Sequence, residues 1–265
     1  MLFPISDDDR TLDGPAYATI LILALNVVVW GYQLAEPAFT YAWSVVPAEI
    51  TSGVDLVNDR PIPEVDPNVQ IRSAADIPQR DGPGDGAPLI YLTMISAMFM
   101  HGGWGHIGGN MLYLWIFGDN VEHRFGTGPF VLFYLVSGIV ATITQVAMGP
   151  DGLVPNLGAS GAIAGVLGAY LVLFPRNRVN AIFFVRIVTV PAVLVLGLWI
   201  AFQFVNQWGA TAATEETGGV AYGAHIGGFL AGMALGLVMR GRGLRERPNV
   251  LSRSIRADPQ SRRLW

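Results

Sequence analysis

Six stretches of this chain are long, apolar and nearly free of charge, and they dictate the medium in which it folds. They run roughly 15–35, 89–117, 128–149, 157–174, 188–208 and 219–239. Most reach the ~20 residues that cross ~30 Å of hydrocarbon at 1.5 Å per residue. Lipid offers no partner to a free backbone N–H or C=O, so each stretch is expected to be helical. The fourth is the shortest, and Pro175 ends it. Pro191, near the start of the fifth, predicts a kink or a later start. Composition agrees: 14% of residues are charged and the mean hydropathy is +0.44, against about a quarter charged in a soluble domain.

The remaining charge is polarised. Arg is the only basic type, and half of the Arg residues follow Met239. Acidic residues crowd the segment from Glu36 to Asp85. Lys/Arg excess marks the cytoplasmic side. Arg176, Arg178 and Arg186 between spans four and five, and the Arg-rich tail after span six, place both termini inside. This pattern argues topology and not nucleic-acid binding. The expected organisation is a cytoplasmic segment 1–14, a six-helix membrane domain 15–240 with an outer loop 36–88, and an Arg-rich cytoplasmic tail 241–265. The plasma (inner) membrane is the expected location. Residues 81–88, Asp-Gly-Pro-Gly-Asp-Gly-Ala-Pro, read as a flexible linker into span two. Tyr41-Ala-Trp43 reads as an interfacial stretch. The acidic leader and long apolar run of span one predict a retained anchor and not a cleaved signal. The chain has no Cys, which excludes disulfides, zinc–thiolate sites and cysteine nucleophiles.

Polar side chains inside spans are costly and mark function. His106 and Asn110 lie four apart on span two, on one helical face. His101 is expected one turn above them. Ser160 opens span four in Gly158-Ala-Ser-Gly161, and His225 lies near the start of span six. Spans two, four and six all run from outside to inside, so these residues share one depth near the outer surface. Small-residue stripes, Ser160/Ala164/Gly168 and Gly228/Gly232/Gly236, predict close packing of spans four and six. His225 precedes Gly228 by three residues and shares its face. His123, beside Glu122 and Arg124, reads as a solvated surface residue.

A serine hydroxyl becomes a nucleophile when a neighbouring base takes its proton, and His suits that task near neutral pH. Asp119 and Glu122, the nearest acids in the spans, fall about 14–20 Å below Asn110. A Ser160–His225 dyad is therefore predicted, and not a triad. Oxyanion donors are expected from His106, the Asn110 amide and the Ser160 backbone N–H at a helix N-terminus.

His101-Gly-Gly-Trp-Gly-His106-Ile-Gly-Gly-Asn110, Gly158-Ala-Ser160-Gly161 and Ala224-His225-Ile-Gly-Gly228, in that order on alternate spans, resemble the rhomboid intramembrane serine proteases. The resemblance covers about residues 15 to 240. It implies an all-α membrane protein, a six-transmembrane-helix rhomboid-like bundle with a long outer loop between helices one and two. It implies the Ser160–His225 dyad, oxyanion support from His106 and Asn110, and supporting roles for His101, Gly158 and Gly161. It implies a water-filled cavity open to the outside and lateral substrate entry past span five, with Trp199, Phe202 and Phe204 as gate residues. Single-span membrane proteins, cut at small residues near a destabilised helix, are the implied substrates. Membrane lipids are the other expected partner; no nucleic acid, metal or cofactor is expected. Two positions depart from the pattern. Many relatives carry a Tyr four residues after the serine, where this chain has Ala164, and some carry Trp-Arg in the first outer loop, where it has Trp43-Ser44.

Two rivals have discriminating features. A metalloprotease needs paired His with a Glu, as in His-Glu-x-x-His; His101 and His106 are five apart with no Glu between them. A transporter or a catalytically dead membrane binder would not need both Ser160 and His225.

Overall fold

The computed structural model describes residues 2–7, 14–53, 87–213 and 221–241. Most of the outer loop and of its linker, residues 214–220 between spans five and six, and nearly all of the Arg-rich tail lie outside the described residues. The elements in chain order are β1 (Leu2–Ser6), α1 (Tyr17–Ala35), α2 (Pro37–Trp43), α3 (Pro47–Ser52), α4 (Ala87–Ser96), α5 (Trp104–Phe125), α6 (Thr127–Met148), α7 (Ser160–Leu173), β2 (Arg178–Phe183), β3 (Arg186–Pro191), α8 (Ala192–Ala213) and α9 (Tyr222–Gly241). The fold is mostly helical. Helices α1, α6, α8 and α9 are long and apolar enough to cross a membrane, and the protein is a multi-pass membrane protein.

The buried core centres on α7. Residues Gly161 to Tyr170 of this helix are buried without interruption, because α5, α6, α8 and α9 surround it. A helix buried on every side needs no polar stripe, and α7 has none. Its contact with α9 is made by backbone. A methyl group built on Gly228 or Gly232 would collide with the carbonyl oxygens of Gly161 or Gly165, and one on Gly168 with that of Phe229. The α7 stripe therefore runs through Gly161, Gly165 and Gly168, one position on from Ser160 and Ala164. This corrects the stripe read in the sequence. The α9 stripe of Gly228, Gly232 and Gly236 stands as read, with Gly236 against Ala169. Gly165 also faces Ser137 and Gly161 faces Ala141, so α6 closes on the same small residues.

Span two is not one helix. It divides into α4, a short 3-10 turn at Ala97–Phe99, and α5, which runs on to Phe125. His101 consequently lies in the break and not one turn up a helix. The side chain of Gln33 on α1 holds that break: its Nε2 donates to the His101 carbonyl at 3.1 Å, and His101 N–H donates to its Oε1 at 2.9 Å. At the other end of α5, the buried Glu122 carboxylate accepts from Ala18 N–H (2.9 Å), Thr19 N–H (2.7 Å), Thr19 Oγ1 (2.8 Å) and Thr127 Oγ1 (2.9 Å). It satisfies free donors at the start of α1, where a negative group is favoured. His123 is half-buried, not solvated: its ring nitrogens face the carbonyls of Asp119 (2.7 Å) and Gly14 (3.0 Å).

The bundle also carries a three-stranded antiparallel sheet, β1-β2-β3, which the all-helical expectation does not include. The alternation in Arg178-Val-Asn-Ala-Ile-Phe and in Arg-Ile-Val-Thr-Val-Pro191 suits paired strands, but apolar bulk masks it within span five. Pro191 ends β3, and α8 starts at Ala192, later than the apolar run suggests.

The glycine contact gives a direct prediction. Gly232→Val forces apart two backbones that cannot yield, costing roughly 1–3 kcal/mol or more. Gly31→Val, whose new side chain meets open space, serves as the control. Thermal unfolding in detergent should show a lower midpoint for the first variant alone.

Candidate active site

Ser160 is the first residue of α7, so its backbone N–H is among the donors a helix leaves unpaired. The segment leading to it is pinned. Val45 and Asn156 exchange backbone hydrogen bonds at 3.0 and 2.6 Å, and Gly158 N–H donates to Ala97 O at 2.8 Å. Gly158 has φ +133°, a conformation that favours glycine. A methyl group there would stand 2.8 Å from His106 Nε2 and 3.6 Å from Ser160 Oγ. Only a hydrogen at that position lets the imidazole of His106 approach the chain beside the serine. Gly161 removes a side chain that would press on Ala141 at 2.7 Å.

His225 lies one turn into α9, and its Nε2 sits 2.8 Å from Ser160 Oγ. Its Nδ1 sits 2.8 Å from Gln203 Oε1 on α8. An amide oxygen only accepts, so Nδ1 carries the proton and donates it to Gln203. Nε2 is then the bare nitrogen that accepts a hydrogen bond from the Ser160 hydroxyl. The ring is also held sterically: Trp199 lies against it at 5.7 Å between centroids and a 38° tilt, and Tyr222 meets it edge-on at 6.4 Å. These three groups orient the imidazole where Ala164 offers no aromatic face.

His106 and His101 stack edge-to-face at 5.1 Å. His106 Nδ1 accepts from Gly102 N–H at 3.3 Å, which leaves Nε2 to carry the proton and to act as a donor beside Ser160. Asn110, one turn further along α5, is buried, and its Nδ2 has no partner among the described residues. His101 is fully buried behind them. A small cavity of about 40 Å³ borders Ser160; Ala97, Met98, Thr142, Gln145, Gly158 and Ala224 contribute to its wall. Gln145 Oε1 accepts Ala224 N–H at 3.1 Å and so caps the start of α9.

The structure thus brings together Ser160, His225, His106 and Gly158. It leaves Phe202 and Phe204, read as gate residues, half exposed on α8, and turns Trp199 inward onto His225. Sequence reasoning missed Gln203. The available signal is the first amide in an apolar span, four residues after Trp199 and therefore on its face.

A polar site that joins a serine and a histidine from two apolar helices is characteristic of a membrane-embedded family. Residues 90–242, more than half of the chain, match the family model described as Rhomboid domain. The chain belongs to the rhomboid family. It is 33% identical over 149 residues to Rhomboid protein 1, mitochondrial, of Saccharomyces cerevisiae, covering 55% of this chain and 41% of that protein. It is 34% identical over 148 residues to Rhomboid protease GluP of Bacillus subtilis, covering 56% and 27%. It is 31% identical over 152 residues to RHOMBOID-like protein 5 of Arabidopsis thaliana, covering 55% and 43%. The matched region spans less than half the length of each of these relatives.

The Gln203 contact predicts a fixed tautomer. Nitrogen-15 spectra of His225 should show a protonated Nδ1 and a bare Nε2. Gln203→Leu should shift them toward a mixture of tautomers; spectra unchanged by the substitution would remove Gln203 from the account.

Proposed function

We propose that this protein is an intramembrane serine endopeptidase that hydrolyses peptide bonds in or near transmembrane segments through a Ser160–His225 dyad. The observation that carries the reading is the 2.8 Å approach of Ser160 Oγ to His225 Nε2, with Nδ1 committed to Gln203. As Ser160 Oγ attacks the scissile carbonyl, Nε2 takes its proton. The oxyanion accepts hydrogen bonds from the Ser160 N–H, His106 Nε2–H and Asn110 Nδ2. Such donors are worth about 2.7–4 kcal/mol each in a soluble protease. The C–N bond breaks as Nε2 returns the proton to the leaving amine, leaving an acyl ester on Ser160. A water activated by the same imidazole then releases the second product. His225 is the only base this cycle requires, and no metal or cofactor enters it. The family membership and the protease named among the relatives support this reading.

The same proposal extends to architecture. Helices α1, α5, α6, α7, α8 and α9 are the six spans, both termini are cytoplasmic, and the site faces the outer side of a plasma membrane. Helix α7 is 14 residues long, or about 21 Å, which recesses Ser160 below a surface ~30 Å from its opposite. Single-span membrane proteins enter laterally past α8, at Phe202 and Phe204. The small-residue wall of the cavity beside Ser160 suits a small side chain at the cut bond.

The test uses purified protein in vesicles with single-span substrates and product sequencing. Ser160→Ala and His225→Ala should each abolish cleavage with folding intact. Asn110→Ala should lower turnover by less. Gln203→Leu removes one neutral hydrogen bond of about 1–1.5 kcal/mol and should lower kcat about tenfold with KM little changed. Undiminished cleavage by Ser160→Ala would end the proposal, as would loss of activity with chelators alone.

A further inference from the structure

The β2–β3 hairpin leaves the bundle at the end of α7 opposite Ser160, and nothing in the proposed chemistry uses it. Strands β2 and β3 pair without irregularity and are joined by a two-residue turn, Phe184-Val185. Phe184 has φ +55° and is the one residue other than glycine with positive φ among those described. Hairpin turns of this length normally place Gly, Asn or Asp at such a position. A phenylalanine there strains the backbone, and its ring meets only its neighbour Phe183, edge-on at 4.8 Å, while Phe184 is 83% and Val185 95% exposed.

The sheet also has a direction. At its polar end Asn120 Nδ2 donates to Asp7 at 2.8 Å, and Tyr170 OH donates to the same carboxylate. At its other end Phe3 meets Tyr113 edge-on at 6.5 Å. Tyr113 and Asn120 are seven residues apart on α5, or about 10 Å. Strand β1 therefore runs from the level of Tyr113, in the middle of the bundle, to the polar end of α5. Leu2 pairs with Phe183 and Phe3 with Ile182, so the hairpin tip lies at the depth of Tyr113.

Side chains follow the same gradient. On the outward face, Phe3, Ile182 and Ile187 lie near the tip, all exposed. Toward the polar end the face becomes Ser6, Asn180 and Thr189, joined by side-chain hydrogen bonds at 3.0 and 2.6 Å, with Arg178 beside them. Beyond the polar end, β3 leads into α8, a helix apolar enough to face lipid, on which Val193, Leu194 and Leu198 are exposed.

We propose that the Phe183-Phe184-Val185-Arg186 tip inserts into the phospholipid leaflet at the end of the bundle opposite Ser160, with Arg178 and Arg186 on headgroup phosphates. An aromatic and apolar tip flanked by arginine matches the chemistry of the headgroup–acyl boundary, and the long Arg side chains reach back to the phosphates. Free backbone groups on the outer edge of β3 restrict the hairpin to that hydrated boundary and keep it from entering the hydrocarbon fully. A soluble partner would not require the tip to lie at the depth of Tyr113.

Absence of Cys makes the test clean. Val185→Cys and Thr189→Cys, each at an exposed position, are spin-labelled and reconstituted in phosphatidylcholine–phosphatidylglycerol vesicles. Collision rates with oxygen and with a water-soluble nickel chelate report depth. The label at 185 should favour oxygen and sit about 5–10 Å below the phosphates, while that at 189 should be reached by the nickel chelate. Adding Phe184→Gly to Val185→Cys should move the tip label outward. Equal nickel access at both positions would overturn the proposal. So would spin–spin broadening at 185, which would mean that a second copy of the chain covers the tip.

Discussion

The backbones of α7 and α9 touch, and the rest of the site depends on that contact. Lipid tails are as apolar as leucine, so helices in a bilayer gain little by hiding apolar side chains from them. What remains is close van der Waals packing, which needs surfaces without side chains. Gly161, Gly165 and Gly168 on one helix and Gly228 and Gly232 on the other supply such surfaces. Ser160 adjoins the first of these glycines, and His225 stands one turn before Gly228. The axial separation set by the glycines is therefore also the separation of the hydroxyl and the imidazole.

Contact alone does not make a base of an imidazole; its protons must be on the right atoms. Gln203 fixes the proton of His225 on Nδ1, and Gly102 fixes that of His106 on Nε2. The two histidines thus receive opposite tautomers from neutral partners, one made an acceptor and the other a donor. In the proposed mechanism these are the base and an oxyanion donor. Both assignments use neutral amide groups, which suits a site recessed among apolar helices, where a buried carboxylate would require compensation of its own. Helix α8, on the proposed entry path, also carries Gln203 and Trp199, which orient His225 on α9.

Much of this is legible in the amino-acid sequence. Charge-free runs bounded by arginine and aspartate locate α1, α6 and α9 to within a few residues, because a bilayer imposes length and polarity on its helices. The approach of Ser160 to His225 follows from their shared depth and from the glycine stripe of α9, although the α7 stripe lies one position on from the one read in the sequence. The break at Met100–Gly103 is not legible: glycines inside an apolar run are equally compatible with close packing, and only Gln33, 68 positions away in sequence, shows that they form a loop. The sheet is hidden for a related reason, since an alternating strand next to a long helix merges with it in any measure of bulk hydrophobicity. The position of Gln203 on the Trp199 face is legible, but its role is not, because that role depends on a partner 22 residues further along the chain.

Active-site labelling tests the central claim most directly. Protein in vesicles is treated with a fluorophosphonate, and the adduct is located by mass spectrometry of its peptides. The account predicts a single adduct on the Ser160 hydroxyl, lost when His225 is replaced by alanine. Labelling that is unchanged without His225, or that falls on another residue, would contradict it.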